Sequence, residues 1–217
     1  MSLFIKRGDV TINTRTKNRR NIQKKETQKL ILESALTLFK ELGFEKTSTR
    51  AIAEKACVGV GTVFSHFPDK SSLLIAVLLD DLKSIQNNAL GSLPENIPIC
   101  DKFLHISKYF YVYYAEQPEL SRTLLKELWF VSGDWGQKLI SQAHEFVFLL
   151  HELLEQAKQK GEIRPEIDTM LCARAFFSHY LNVLYEGMSD TDVKPDKMIN
   201  LLKDLLNQLM KGVGSNK

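Results

Sequence analysis

Cysteine is scarce in this sequence, and the three that occur (Cys57, Cys100 and Cys172) are widely spaced with no Cys-x-x-Cys pair. That usage excludes a disulfide framework and a thiolate zinc site, and it fits a reducing compartment. Long apolar runs are missing too. The longest, Leu73 to Leu79, falls far short of the roughly 20 residues that a membrane span requires. Lys6, Arg7 and Asp9 leave no apolar stretch of the secretory-leader type, so a cytoplasmic protein with no membrane partner is expected. There is no internal repeat, no low-complexity block and no sustained alternation that would define a strand. Nor do acids, bases or metal ligands converge. The run His151-Glu152-Leu153-Leu154-Glu155 approaches the HExxH zinc motif, but Glu155 stands where the second His belongs and no third ligand follows. An enzyme is not expected, nor is a cofactor or a metal.

What is present is an ordinary globular composition, 44% hydrophobic and 25% charged over 217 residues. Such a chain can bury a core without staples. The net charge of +3 hides an asymmetry. Lys6, Arg7, Arg15, Lys17, Arg19, Arg20, Lys24 and Lys25 face only Asp9 within residues 1–25, while the rest of the chain is mildly acidic. A basic arm on an acidic body points to a polyanionic partner. Residues 1–23 carry no apolar period and are expected to be a flexible arm.

From Thr27 the pattern turns helical. Leu30, Ile31, Ala35, Leu38, Phe39 and Leu42 recur at three- and four-residue steps, and Gly43 follows where a left-handed cap costs least. Ser48 is placed to cap a second, short helix through Ile52, Ala53 and Ala56. A third short helix over 60–66 carries Val63 and Phe64 inward, and Phe67 joins the core. Asp69 can cap a fourth helix that runs toward residue 90. Further helices are expected near 99–116, 118–131, 135–160, 166–187 and 195–211, with Pro118, Pro165 and Pro195 at first turns and Gly133 and Gly161 near ends. The fold class is therefore all-α, with about nine helices. Its parts are an arm (1–23), a small three-helix helix-turn-helix domain (24–70) and a larger C-terminal helical domain (71–217).

Two short helices joined by a tight turn and buttressed by longer ones form a helix-turn-helix, whose second helix fits a major groove of about 12 Å. Three elements make the stretch from Ile31 to Leu74 resemble the DNA-binding domain of the TetR family of bacterial transcriptional regulators. They are Ala-x-x-Leu-Phe-x-x-x-Gly-Phe (Ala35 to Phe44), Thr-Ser-x-x-x-Ile-Ala (Thr47 to Ala53) and Gly-Thr-Val-Phe-x-His-Phe-x-x-Lys (Gly61 to Lys70). The resemblance implies phosphate contacts from Thr49, Thr62, His66 and Lys70, and base or groove contacts from Arg50, Val60, Gly61 and Ser65. Side-chain chemistry agrees. Arg50 can fork onto a guanine edge, Gly61 permits close backbone approach, and Lys70 adds charge to a helix N-terminus. The sequence also departs from the family pattern. Cys57 stands where the turn usually has Gly, which puts a left-handed conformation on a residue with a side chain. Gly59 replaces a Ser cap, Val60 replaces a frequent Lys or Arg, and Ser65 replaces an aromatic residue or His.

The C-terminal half supplies two amphipathic candidates. Helix 166–187 is apolar almost all round (Met170, Leu171, Ala173, Phe176, Phe177, Tyr180, Leu181, Leu184, Tyr185), and helix 195–211 bears Met198, Ile199, Leu202, Leu205, Leu206 and Leu209. A helix with more apolar surface than one subunit can cover meets a partner. The family resemblance implies a homodimer joined by four such helices, two from each subunit. It also implies a small-molecule effector site among the aromatic-rich helices. The candidates are Phe103, Phe110, Tyr114, Trp129, Phe148, Phe177 and Tyr180, with His144 and His151 as polar tips. The expected function is a TetR-like regulator, a repressor that binds a palindromic operator in double-stranded DNA as a homodimer. A largely apolar or aromatic ligand would release it. The alternative is a TetR-like DNA-binding protein controlled by a protein partner.

Overall fold

The computed structural model describes residues 10–128 and 133–212. Among these are nine helices and no strand: α1 (Val10–Leu42), α2 (Thr49–Lys55), α3 (Val60–His66), α4 (Lys70–Gly91), α5 (Ile99–Glu116), α6 (Pro118–Leu128), α7 (Gly133–Gln159), α8 (Thr169–Ser189) and α9 (Pro195–Lys211). None of them is long and apolar enough to cross a membrane. The chain divides into two compact units, residues 1–73 and 74–217, whereas the sequence expectation put the divide after Lys70.

In the first unit α1 begins at Val10, ahead of the start at Thr27 that its apolar period suggests. The difference has a simple cause. Lys, Arg, Gln and Glu are good helix formers, so the helix continues where no core face is needed, and residues 18–26 are exposed throughout. The expected flexible arm is thus helical from Val10 on, and residues 1–9 lie outside the described residues. Further along, Ile31, Ala35 and Phe39 are buried on one stripe. Gly43 ends the helix at φ +82°, with its N–H donating to the Phe39 carbonyl at 3.0 Å. Phe44 then folds back onto Phe39, ring centroids 5.3 Å apart. Ile52, Ala53, Val63 and Phe67 complete this small core.

The second unit is built on aromatic packing. Tyr111 stacks on Tyr180 at 5.3 Å with planes 5° apart, and its hydroxyl donates to the Tyr180 carbonyl at 3.0 Å. Phe103 meets Phe176 edge-on at 4.2 Å. Helices α7 and α8 pack together, and α9 packs on α5 and α8. Asp168 caps α8 by accepting from the Leu171 N–H at 3.0 Å. Gly187 allows α9 to approach: a Cβ there would lie 2.7 Å from the Met198 sulfur.

The stripe of α9 is shared: Met198, Leu202 and Leu206 are buried in the subunit's own core, while Ile199, Leu205 and Leu209 are half-buried. The outward side of α9 carries Lys197, Asn200, Lys203, Asp204 and Asn207. The most exposed apolar side chains of this unit are Leu171 and Tyr185 of α8 and Phe148 and Ile140 of α7, with Leu181 of α8, Met210 of α9 and Tyr109 and Val112 of α5 also outside.

Candidate functional site

Two places in the molecule can meet another molecule, one in each unit. The first is the pair α2 and α3. Ser48 has extended backbone and its hydroxyl accepts from the Ala51 N–H at 3.1 Å, which starts α2. The turn between the helices passes through Cys57 at φ +54°, the left-handed conformation expected from its position. A side chain in that conformation costs about 1–2 kcal/mol. On α3, Val63 and the following Phe67 point inward, and Val60, Gly61, Phe64 and Ser65 form the outward side. Phe64 corrects the sequence expectation. It is 50% exposed, because it sits one residue past Val63 and therefore about 100° round the helix from the core. A Cβ at Gly61 would meet nothing within 4 Å, so nothing inside the protein requires glycine there.

The charged members of this site are already engaged to different degrees. Arg50 is exposed on α2, and its Nε donates to Glu54 Oε1 at 3.2 Å, an i,i+4 pair that leaves both terminal nitrogens of the fork available. Lys70 is not a loose point charge. Its Nζ donates to the Phe44 carbonyl at 2.8 Å and the Glu45 carbonyl at 3.3 Å, and it lies 4.3 Å from the centre of the Phe44 ring. One of its three donors is left for a phosphate. His66 is half-buried, and burial lowers its pKa from the usual value, with Lys24 adding to the effect. Thr49 and Thr62 are half-buried at the first turns of their helices, and the Ser65 hydroxyl donates to the Thr62 carbonyl at 2.7 Å. All eight residues expected from sequence therefore lie on or beside the two short helices.

The second place is a cavity of about 800 Å³ inside unit two, walled by α4, α5, α6, α7 and α8. Phe110, Tyr114, Phe177 and Tyr180 line it, as the sequence suggested. Four other candidates do not. Phe103 belongs to the core with Phe176, Phe148 is 54% exposed, His144 is exposed, and His151 Nδ1 is 3.0 Å from the Thr169 hydroxyl. That hydroxyl also donates to Glu155, so the His-Glu-Leu-Leu-Glu run serves as an interhelical tie. Trp129 lies outside the described residues. Sequence reasoning missed Gln86, Gln142 and Asn182, polar residues that line the cavity. The one available signal was Gln86, a polar residue in an otherwise inward position of α4. Among the described residues no Asp, Glu, Lys, Arg or His lines the cavity. The two buried tyrosines stay protonated at ordinary pH. Burial pushes Tyr114 up to about 12, with the neighbouring Tyr180 hydroxyl acting the other way, and burial raises Tyr180 well above its usual value too.

The sequence profile of the family described as bacterial regulatory proteins, tetR family, matches residues 31–77, the stretch that contains α2 and α3. Over 175 residues the chain is 27% identical to the HTH-type transcriptional regulator UidR of Escherichia coli K12, covering 77% of this chain and 83% of that protein. Among solved structures, Thermus thermophilus FadR in complex with lauroyl-CoA superposes with a TM-score of 0.72 at 19% identity, over 88% of this chain and 96% of that one. Bacillus subtilis FadR in complex with stearoyl-CoA gives 0.67 at 19% identity, over 85% and 98%. At that identity the two structures speak for the fold.

Proposed function

We propose that this chain, which matches the tetR family over residues 31–77, is a DNA-binding transcriptional regulator of that family, a repressor that binds a palindromic operator as a homodimer and is released by a small, largely apolar ligand. The observation that carries the ligand half of this reading is the cavity of about 800 Å³ in the same chain as the helix-turn-helix. A cavity of that size with a mostly apolar wall takes a drug-sized or lipid-sized molecule. The acyl-CoA complexes of the two FadR proteins support an acyl chain as one such body.

For the DNA half, α3 enters the major groove with Val60, Phe64 and Ser65 toward the bases. Arg50 reads a guanine from α2, and Thr49, Thr62, His66 and Lys70 hold phosphates. Val60 and Phe64 suit thymine methyl groups. The cationic arm adds sequence-independent affinity. The dimer forms through the outer face of α8. Leu171 and Tyr185, 64% and 63% exposed, stand seven residues either side of Ser178. Two α8 helices crossing antiparallel at Ser178 would bring Leu171 of each against Tyr185 of the other, the reciprocal contact that a two-fold interface requires.

Selection of a binding site from random duplexes, followed by light scattering of the complex, tests this reading. A two-fold symmetric site bound by two chains is the expected result. An asymmetric site bound by one chain contradicts it.

A further inference from the structure

The polar groups around the cavity are not equal. Gln142 donates through Nε2 to the Leu79 carbonyl at 3.3 Å, and the Ser178 hydroxyl donates to the Arg174 carbonyl at 2.9 Å. Tyr114 and Tyr180 interact through their hydroxyls. Asn182 and Tyr185 are exposed. Gln86 differs from all of these. It is only 6% exposed, it lines the cavity, and its side-chain amide has no hydrogen-bond partner among the described residues. No polar side-chain atom is sealed away without a partner, so the Gln86 amide opens to the cavity. A primary amide offers two donors and one acceptor, and leaving them unmade in apolar surroundings is costly.

The charges nearby are committed elsewhere. On α4, Asp81 accepts from the Tyr113 hydroxyl at 2.9 Å, and Lys83 pairs with Glu145 of α7 at 3.7 Å. On α6, Arg122 donates to the Met188 and Asp190 carbonyls at 2.8 Å each. His144 of α7 and Arg174 of α8 are exposed and do not line the cavity.

We propose that Gln86 is the recognition residue of this cavity. Its ligand is an uncharged amphiphile, an apolar body with one neutral hydrogen-bonding group (an amide, ester or alcohol) that meets the Gln86 amide. This rests on the ligand reading above and narrows it. An anionic group has no cation to meet at that depth, so a carboxylic acid enters in its neutral form. Its affinity then falls tenfold for each pH unit above its own pKa of about 4–5, while that of a neutral amide stays level.

The test uses the full chain with the neutral fluorophore N-phenyl-1-naphthylamine as reporter, displaced by decanamide or by decanoate. Between pH 6 and 8 decanamide should displace with constant affinity, and decanoate should weaken about tenfold per unit. Gln86→Leu, similar in size, should weaken decanamide by about tenfold, the worth of a buried hydrogen bond, and leave the reporter nearly unchanged. Retained reporter binding certifies that the variant's cavity is intact. Decanoate binding that is as tight as decanamide and level with pH overturns the proposal, as does undiminished decanamide binding by Gln86→Leu. In either case reporter binding keeps the ligand reading alive. If the reporter does not bind the wild-type chain at all, both fall.

Discussion

In residues 1–73 the candidate DNA-contacting side chains outside the arm come from one short stretch, Thr49 to Lys70, on or beside two short helices. In residues 74–217 the candidate site's side chains come from five helices, spread from Leu82 to Tyr185, and surround a cavity. The first arrangement suits a rigid, repetitive polymer, which must be met by a protruding surface. The second suits a small molecule, which is held by enclosure. The two also differ in how their polar groups are treated. Around α3, Arg50, Ser65 and Lys70 already have partners within the protein, so under the proposed reading DNA would compete for them or use their remaining valences. Inside the cavity the Gln86 amide has no partner among the described residues, so the proposed ligand would meet it without displacing one.

The largest expected effect breaks the second unit's outer face. Leu171→Glu with Tyr185→Glu alters two exposed residues, so the fold should survive, but like charges would meet across the proposed α8 crossing. Light scattering should report monomers, and loss of the second reading head should cost at least about a hundredfold in operator affinity. A dimeric double mutant with normal affinity would remove α8 from the interface.

Within the first unit, Arg50→Ala and Lys70→Ala should fail in different ways. Arg50→Ala should relax selection at one base pair per half-site by about 1–3 kcal/mol, with stability unchanged. Lys70→Ala should weaken all sequences about equally. Because its ammonium ties the start of α4 to the α1–α2 turn, it should also lower stability by about 1–2 kcal/mol. Site selection and thermal melts in one buffer separate the two. A Lys70→Ala protein of unchanged stability would show that its two carbonyl contacts are incidental.

His66 gives a smaller effect with a definite sign. Its pKa in the free protein is lowered, so it is neutral at pH 7, and a phosphate favours the cation. Operator affinity should therefore rise as pH falls below about 6.5, by at most about tenfold per unit that the phosphate raises the pKa. His66→Gln should flatten that rise in an anisotropy titration. The smallest effect is structural. Cys57→Gly should stabilise the chain by about 1 kcal/mol, because glycine holds φ +54° at less cost, and chemical denaturation would detect it.

The same contrast explains what the sequence disclosed. Local signals marked α2 and α3, because a cap such as Ser48 and a stop such as Gly43 act within one turn of themselves. Positions read from the family pattern, Arg50 and Val60 among them, fell on the surface for the same reason. Phe64 misled because an aromatic residue beside Val63 looks like core, and only its angle round the helix decides. The cavity was half legible. Aromatics at Phe110, Tyr114, Phe177 and Tyr180 suggested it, but Phe103 and Phe148 have the same chemistry and lie elsewhere. Which aromatic faces empty space depends on how five helices pack, and that is a long-range property. Helix α9 shows the converse case. Its stripe of Met198, Leu202 and Leu206 was plain, but nothing local says whether such a stripe meets its own subunit or another.

In the proposed function a filled cavity and bound DNA oppose one another. Linkage requires the effect to be reciprocal, and coupling of this kind is typically about fivefold or more. The direct measurement is a pair of titrations: selected operator with and without saturating decanamide, and decanamide with and without saturating operator. Each is expected to weaken the other by the same factor. Operator affinity that does not change while decanamide is demonstrably bound would contradict it.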